Sequence, residues 1–228
     1  MIKVFIGYDP REAGSYGVLA HSINARSSQP VSITPLMLSQ LHDCFQRELD
    51  PKQSTEFAFS RFLVPYLSNY EGWSIFMDCD MLVREDIAEL WKCRDERYAV
   101  QVVKHDHKPV EKVKFLGQQQ TRYEKKNWSS VMLFNNAKCQ ALTPDFVNNA
   151  SGLQLHQFKW LGDDELIGEI PHKWNHLVGY DKYDEGAALV HYTVGGPYFE
   201  EYKDCEYSEE WHNEKKNMEY IKQNKIVK

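Results

Sequence analysis

Several things are missing from this sequence, and each absence excludes a class of protein. No apolar run approaches the ~18 residues of a membrane-crossing helix, so no transmembrane segment is expected. No concentrated basic run appears and the net charge is −6. A nucleic-acid partner wants a basic face, so no nucleic-acid binding is expected. Cysteine is sparse: five residues, at 44, 79, 93, 139 and 205, with no CxxC. Such a set reads as reduced thiols, not as a disulfide frame or a zinc cluster. The opening MIKVFIGYDP carries too short an apolar stretch for a signal-peptide core. The expectation is a cytoplasmic protein. Internal repeats and a linker are also missing, and 228 residues suit one domain over 1–228 with a sizeable core.

What is present is alternation. Residues 2–7 (IKVFIG) read as a buried strand that stops at Gly7, and residues 11–26 as a helix. Residues 31–38 (VSITPLML) read as a second strand, where Pro35 indicates a sheet edge or a strand end. Residues 56–69 carry Phe59, Phe62, Leu63, Tyr66 and Leu67 at helical spacing, with Pro65 as a kink point. Then come a strand at 73–78, a short helix at 85–93, and strands at 98–103, 130–135 and 188–192. Strand–helix alternation of this kind indicates an α/β domain with a mostly parallel sheet. Residues 104–127, rich in Lys, Gln and His, read as a flap, and 208–223 as an amphipathic C-terminal helix with Trp211, Met218 and Ile221 as candidate buried positions. Thr143-Pro144-Asp145 reads as a helix start.

The run SIFMDCDMLV, residues 74–83, ends an apolar strand in two aspartates. Strand alternation puts Asp78 and Asp80 on one face and Cys79 on the other. Paired carboxylates repel, and a divalent cation such as Mg²⁺ or Mn²⁺ resolves the conflict. In open α/β sheets ligands bind beyond the carboxyl ends of strands, which is where these acids lie. The bland alternative is that the acids cap the following turn. Two enzyme classes share a strand-end DxD: metal-dependent nucleotide-sugar transferases, and haloacid-dehalogenase-type phosphatases with an aspartate nucleophile. LGDDELI, residues 161–167, superficially suits the phosphatase. That motif, however, usually opens its domain and is followed by a small residue and Thr or Val. Here strands precede the acids and Met81-Leu82 follow them.

Six runs, taken in order, resemble glycosyltransferase family 8 and its GT-A-fold relatives: VFIGYDP (4–10), FSRFLVPYL (59–67), IFMDCDMLVREDIAELW (75–91), NWSSVMLFNN (127–136), LGDDELIGEIPHKWN (161–175) and HYTVGG (191–196). The resemblance spans roughly residues 2–200 and implies a Rossmann-like, mostly parallel sheet flanked by helices. It further implies transfer of a hexose from a nucleotide sugar, most simply a UDP-sugar, to a glycan or other carbohydrate acceptor, with retention. By the same resemblance Asp78, Asp80 and His191 hold Mn²⁺ or Mg²⁺. Gly7, Tyr8 and Asp9 meet the nucleotide base, and Arg61 reaches the donor sugar or the DxD carboxylates. Trp128 and Ser129 line the donor–acceptor junction, while Asp163 and Asp164 act at the sugar. Most have a plainer alternative: turn chemistry for Tyr8 and Asp9, a surface arginine on an amphipathic helix for Arg61, a core role for Trp128, a helix cap for the acids, a core or loop histidine for His191. A haloacid-dehalogenase-type phosphatase and a non-catalytic nucleotide-sugar binder remain the alternatives in function.

Three departures stand out. The family's Asn-Ala-Gly reads Trp128-Ser129-Ser130, its Asp-Gln-Asp reads Asp163-Asp164-Glu165, and its lysine after the metal histidine is Pro197. The diphosphate then needs another cation, with Lys203, Arg11 or the flap lysines as candidates.

Overall fold

The computed structural model describes residues 1–48, 53–106 and 124–219. Most of the expected flap and the end of the expected C-terminal helix therefore lie outside the described residues. Nine strands form two sheets among the described residues. β1 (Ile2–Gly7), β2 (Val31–Leu36), β3 (Trp73–Met77), β5 (Val100–Val102), β6 (Val131–Asn135) and β7 (Ile167–Glu169) form the larger sheet, in the order β2-β1-β3-β6-β5-β7. β1 pairs parallel with β2 and β3, β5 pairs parallel with β7, and β6 runs antiparallel to its neighbours β3 and β5. The sheet is thus mostly parallel, and every residue of β3, β5 and β6 is buried. β2 sits at the edge, where Pro35 opposite Ile6 costs the ladder least.

A smaller sheet holds β4 (Met81–Val83), β9 (Leu189–His191) and β8 (His176–Leu177), in that order. β3 and β4 are separated only by Asp78, Cys79 and Asp80, so the DCD run is the point at which the chain leaves one sheet for the other.

Helices follow their local signals. α1 (Ala13–Arg26) joins β1 to β2, and α3 (Ile87–Lys92) follows β4 with the Asp86 carboxylate accepting from Ala88 N–H. The expected helix over 56–69 is shorter: a 3₁₀ turn at Ser60–Leu63 leads into α2 (Val64–Leu67), with Pro65 in its first turn, where a missing N–H costs nothing. Thr143 caps α4 (Pro144–Asn149) through its hydroxyl, and Ser151 and Gln154 form a capping box on α5 (Gly152–His156). α6 (Ser208–Glu219) lies against α1. Trp211 is buried there with Val18, Leu82 and Tyr192, and Glu214 accepts from His21 Nδ1 at 2.5 Å and Arg26 Nη2 at 2.7 Å. The C-terminal helix packs on the core of its own chain. Among the described residues no helix is long and apolar enough to cross a membrane.

Candidate active site

The residues after Met77 form a bend, not a continued strand, yet the expected division of faces holds. Asp78 N–H donates to Ser130 O at 3.0 Å, and Asp80 O accepts from Tyr192 N–H at 2.9 Å, so both sheets hold the bend. Antiparallel pairing of β4 with β9 sets Met81 opposite His191. That register delivers the histidine to the neighbouring Asp80. His191 Nε2 lies 3.4 Å from Asp80 Oδ1 and 4.0 Å from Asp78 Oδ2, and all three side chains are largely buried.

The far nitrogen of His191 is fixed by a chain of hydrogen bonds whose direction can be worked out. The Asn127 carbonyl can only accept, and it takes the Ser130 hydroxyl at 2.6 Å. Ser130 Oγ then accepts from Asn175 Nδ2 at 2.8 Å. This turns Asn175 Oδ1 toward His191 Nδ1 at 3.0 Å, so Nδ1 carries the proton. Nε2 is consequently the ring nitrogen that faces the two carboxylates. Two carboxylates and a neutral imidazole, with ligand atoms within 4.8 Å of one another, are a donor set that fits Mn²⁺ or Mg²⁺. Asn175 is thus a positioning residue. Asn175→Ala is expected to weaken Mn²⁺ binding about 10- to 100-fold, read by titration calorimetry, with the fold intact by circular dichroism.

Arg61 braces the pair. Its Nη1 reaches Asp78 Oδ1 at 2.7 Å and Ser129 O at 2.9 Å, and its guanidinium lies over the Phe57 and Phe76 rings. An arginine set among aromatic residues is therefore tied to a largely buried acid. Phe57 also explains Gly7: a Cβ there would come within 2.2 Å of that ring. Tyr8 is half-buried and meets Tyr16 edge to face. Asp9 is buried and accepts from Arg11 N, Nε and Nη2 and from Glu56 N–H. Burial pushes its carboxyl up, but these hydrogen bonds outweigh burial and hold it below the usual range.

Trp128 donates from Nε1 to His105 O at 2.9 Å, and Ser129 Oγ lies 2.7 Å from His156 Nδ1. Burial keeps His156 neutral. Asp163 and Asp164 belong to a different element, the turn Asp164–Leu166 that enters β7. Asp163 caps that turn through Glu165 N–H at 2.8 Å, and the exposed Asp164 carboxylate pairs with Lys125 Nζ at 2.5 Å. Among the candidate cations, Lys203 forms a surface pair with Glu200 and Arg11 is committed to Asp9. Lys125 lies near the site, with its Nζ 5.8 Å from the Trp128 ring centroid.

The structure also brings in a residue the sequence did not single out. Glu12 is buried on the Cys79 side of the bend, where it accepts from Tyr198 Oη at 2.5 Å. Gly196 makes room for that tyrosine, since a Cβ would approach its ring to 2.2 Å. Burial, then the charge of Asp80, push the Glu12 carboxyl up from 4.5 to about 8. The unfolded chain loses this proton near 4.5 and the folded chain near 8, so the stability it provides below 4.5 is lost as pH rises through that window. In metal-free protein Glu12→Gln should flatten that loss, worth on the order of a few kcal/mol, in urea unfolding between pH 5 and 8.5.

Comparison with known proteins decides what this geometry belongs to. Residues 19–141 match the family model described as glycosyl transferase family 8. The chain belongs to glycosyltransferase family 8. Protein CDI of Arabidopsis thaliana is 47% identical over 232 residues, spanning 98% of this chain and 88% of that protein. Among solved structures, the bifunctional glycosyltransferase WbbM superposes with a TM-score of 0.67 at 14% identity, over 95% of this chain and 50% of WbbM. The galactosyltransferase LgtC, solved with donor and acceptor sugar analogues, gives 0.61 at 11% identity, over 97% of this chain and 98% of LgtC. GlyE of Streptococcus pneumoniae gives 0.62 at 14% identity, and this chain spans 60% of it. These neighbours fix the fold as GT-A, and the family makes this chain a glycosyltransferase.

Proposed function

We propose that this glycosyltransferase moves a hexose from a UDP-sugar to a glycan or other carbohydrate acceptor, with retention at the anomeric carbon. The observation that supports it most is the convergence of Asp78, Asp80 and His191 at the carboxyl end of β3, with imidazole Nε2 turned toward the acids. These three residues would hold Mn²⁺ or Mg²⁺. The bound ion would supply Lewis-acid neutralisation of the departing diphosphate.

The chain's own groups supply the rest. Arg61 fixes Asp78 by charge and the Ser129 carbonyl by hydrogen bond, so the acid and the Trp128–Ser130 turn keep one spacing. In the proposal Gly7, Tyr8 and Asp9 border the base, with Asp9 acting through Arg11 because its own oxygens are taken. Trp128 and Ser129 line the donor–acceptor junction. Asp163 or Asp164 places negative charge where the oxocarbenium-like state develops. Lys125 partners Asp164 and supplies positive charge on the side where the family lysine is replaced by Pro197. The sugar analogues bound to LgtC favour a donor and an acceptor over a lone nucleotide ligand. Five free thiols suit a reducing compartment such as the cytoplasm, and residues 1–228 would act as one catalytic domain.

A panel of nucleotide sugars, with and without Mn²⁺, tests this by nucleoside diphosphate release and thermal shift. The proposal expects a metal-dependent shift with uridine nucleotides and diphosphate release with at least one donor. A metal-dependent shift without turnover for any donor and acceptor would mark a binding module instead.

A further inference from the structure

A second cluster of ligating side chains lies outside the Asp78–Asp80–His191 site. It is drawn from three loops. His105 follows β5 and is buried, and its carbonyl is held by Trp128 Nε1. His172 opens the turn His172–Asn175 after β7 and is about half exposed. Asp181 follows β8, where Leu177 N–H donates to its Oδ2 at 2.7 Å and holds the carboxylate in place. One nitrogen from each histidine and one Asp181 oxygen lie within 4.8 Å of one another. His172 Nε2 is 3.3 Å from Asp181 Oδ2. Tetrahedral zinc, with bonds near 2.0–2.1 Å, sets its ligand atoms about 3.3 Å apart.

His176 packs beside this cluster, edge to face with His172. The Tyr207 hydroxyl donates to Asp184 O at 2.8 Å and accepts from Asp184 N–H at 3.0 Å. Its single proton is therefore spent, and His176 Nε2, 3.3 Å away, is the donor in their contact. With Nε2 turned to Tyr207, Nδ1 is the nitrogen on the Asp181 side of the ring. It lies 4.0 Å from the same Asp181 Oδ2 that His172 approaches.

We propose that His105, His172 and Asp181 form a second metal site, taking a borderline divalent cation of the zinc type, with the fourth position left to water. Two imidazoles and one carboxylate match three-ligand zinc sites and differ from the carboxylate-rich donor set at Asp78 and Asp80. The exposed edge of His172 is the entry path. The site would staple the segment after β5 to the loops on either side of β8. It shares the turn His172–Asn175 with Asn175, which orients His191, so the two sites would be mechanically joined.

The test uses the full chain, stripped of metal by chelation and titrated with Zn²⁺ by calorimetry and with Co²⁺ by visible absorption. The proposal expects a Zn²⁺ site that survives Asp80→Asn and is weakened at least tenfold by both His172→Ala and Asp181→Asn. It also expects Co²⁺ bands of tetrahedral intensity that vanish in those two variants. His172 is half exposed, so its alanine variant should fold, and a thermal melt checks this. Zn²⁺ affinity and Co²⁺ bands unchanged in folded His172→Ala would overturn the proposal. So would loss of all Zn²⁺ binding in Asp80→Asn. Neither result bears on sugar transfer, so the two proposals fail separately.

Discussion

Asp80→Asn should abolish metal-dependent donor binding and lower turnover by about 10³-fold or more, while leaving the protein folded. Asp80 is the acid closest to His191 Nε2, at 3.4 Å, and its backbone carbonyl is held by Tyr192 N–H. The amide keeps the shape and the backbone contact but removes one of the negative charges that make the cluster attractive to a hard cation. Stability should move the other way. Asp80 is the main charge raising the Glu12 carboxyl, and it also faces Asp78 across the bend, so neutralising it relieves both. The variant should therefore melt no lower than the wild type in metal-free buffer. Loss of Mn²⁺ and UDP binding by calorimetry, with an unchanged or raised melting temperature, is the expected pair of results. A destabilised protein that still bound metal would assign Asp80 to the fold rather than to the cation.

Asp164→Asn should lower kcat by about 10²-fold and leave donor binding within a factor of a few, because the charge it removes is proposed to matter as the sugar departs. Asp164 is exposed and reached by Lys125, whereas Asp163 spends one oxygen capping its own turn. Asp163→Asn keeps an oxygen for the cap and tests the other acid with little structural cost. The signature is a fall in kcat at nearly constant donor affinity, measured with the best donor of the panel. If Asp163→Asn and Asp164→Asn both turn over normally, neither is the reacting acid.

Much of the frame could be read from local pattern. The buried runs at β1, β3 and β6 are apolar enough to be strands in any α/β context, and Pro35 marked an edge correctly. The DCD run was legible because carboxylates after an apolar strand are costly unless something uses them. Its true setting was not legible. The chain bends there into a second sheet, and only the long-range pairing of Met81 with His191 shows it. His191 was reached by family resemblance alone, since a histidine ending a late strand carries no local signal. Asn175 and Ser130 were missed as partners for the same reason. Each is an ordinary polar residue until the fold stacks the turn before β8 on the start of β6. Glu12 was hidden by its neighbours: an acid after Asp-Pro-Arg reads as a solvated first turn, yet Tyr198 and Cys79 enclose it. The helix over 56–69 was overread because apolar spacing cannot distinguish a 3₁₀ turn followed by one α turn from a continuous helix.

The central claim is that His191 Nε2 and the two aspartates grip the metal that carries the donor diphosphate. Pulsed electron paramagnetic resonance of the chain with Mn²⁺ and UDP tests it directly. The account predicts ¹⁴N coupling from one imidazole, lost in His191→Ala, together with ³¹P coupling from the diphosphate that requires Asp78 and Asp80. Mn²⁺–UDP bound to the protein with no imidazole coupling, or with coupling that survives His191→Ala, would contradict it.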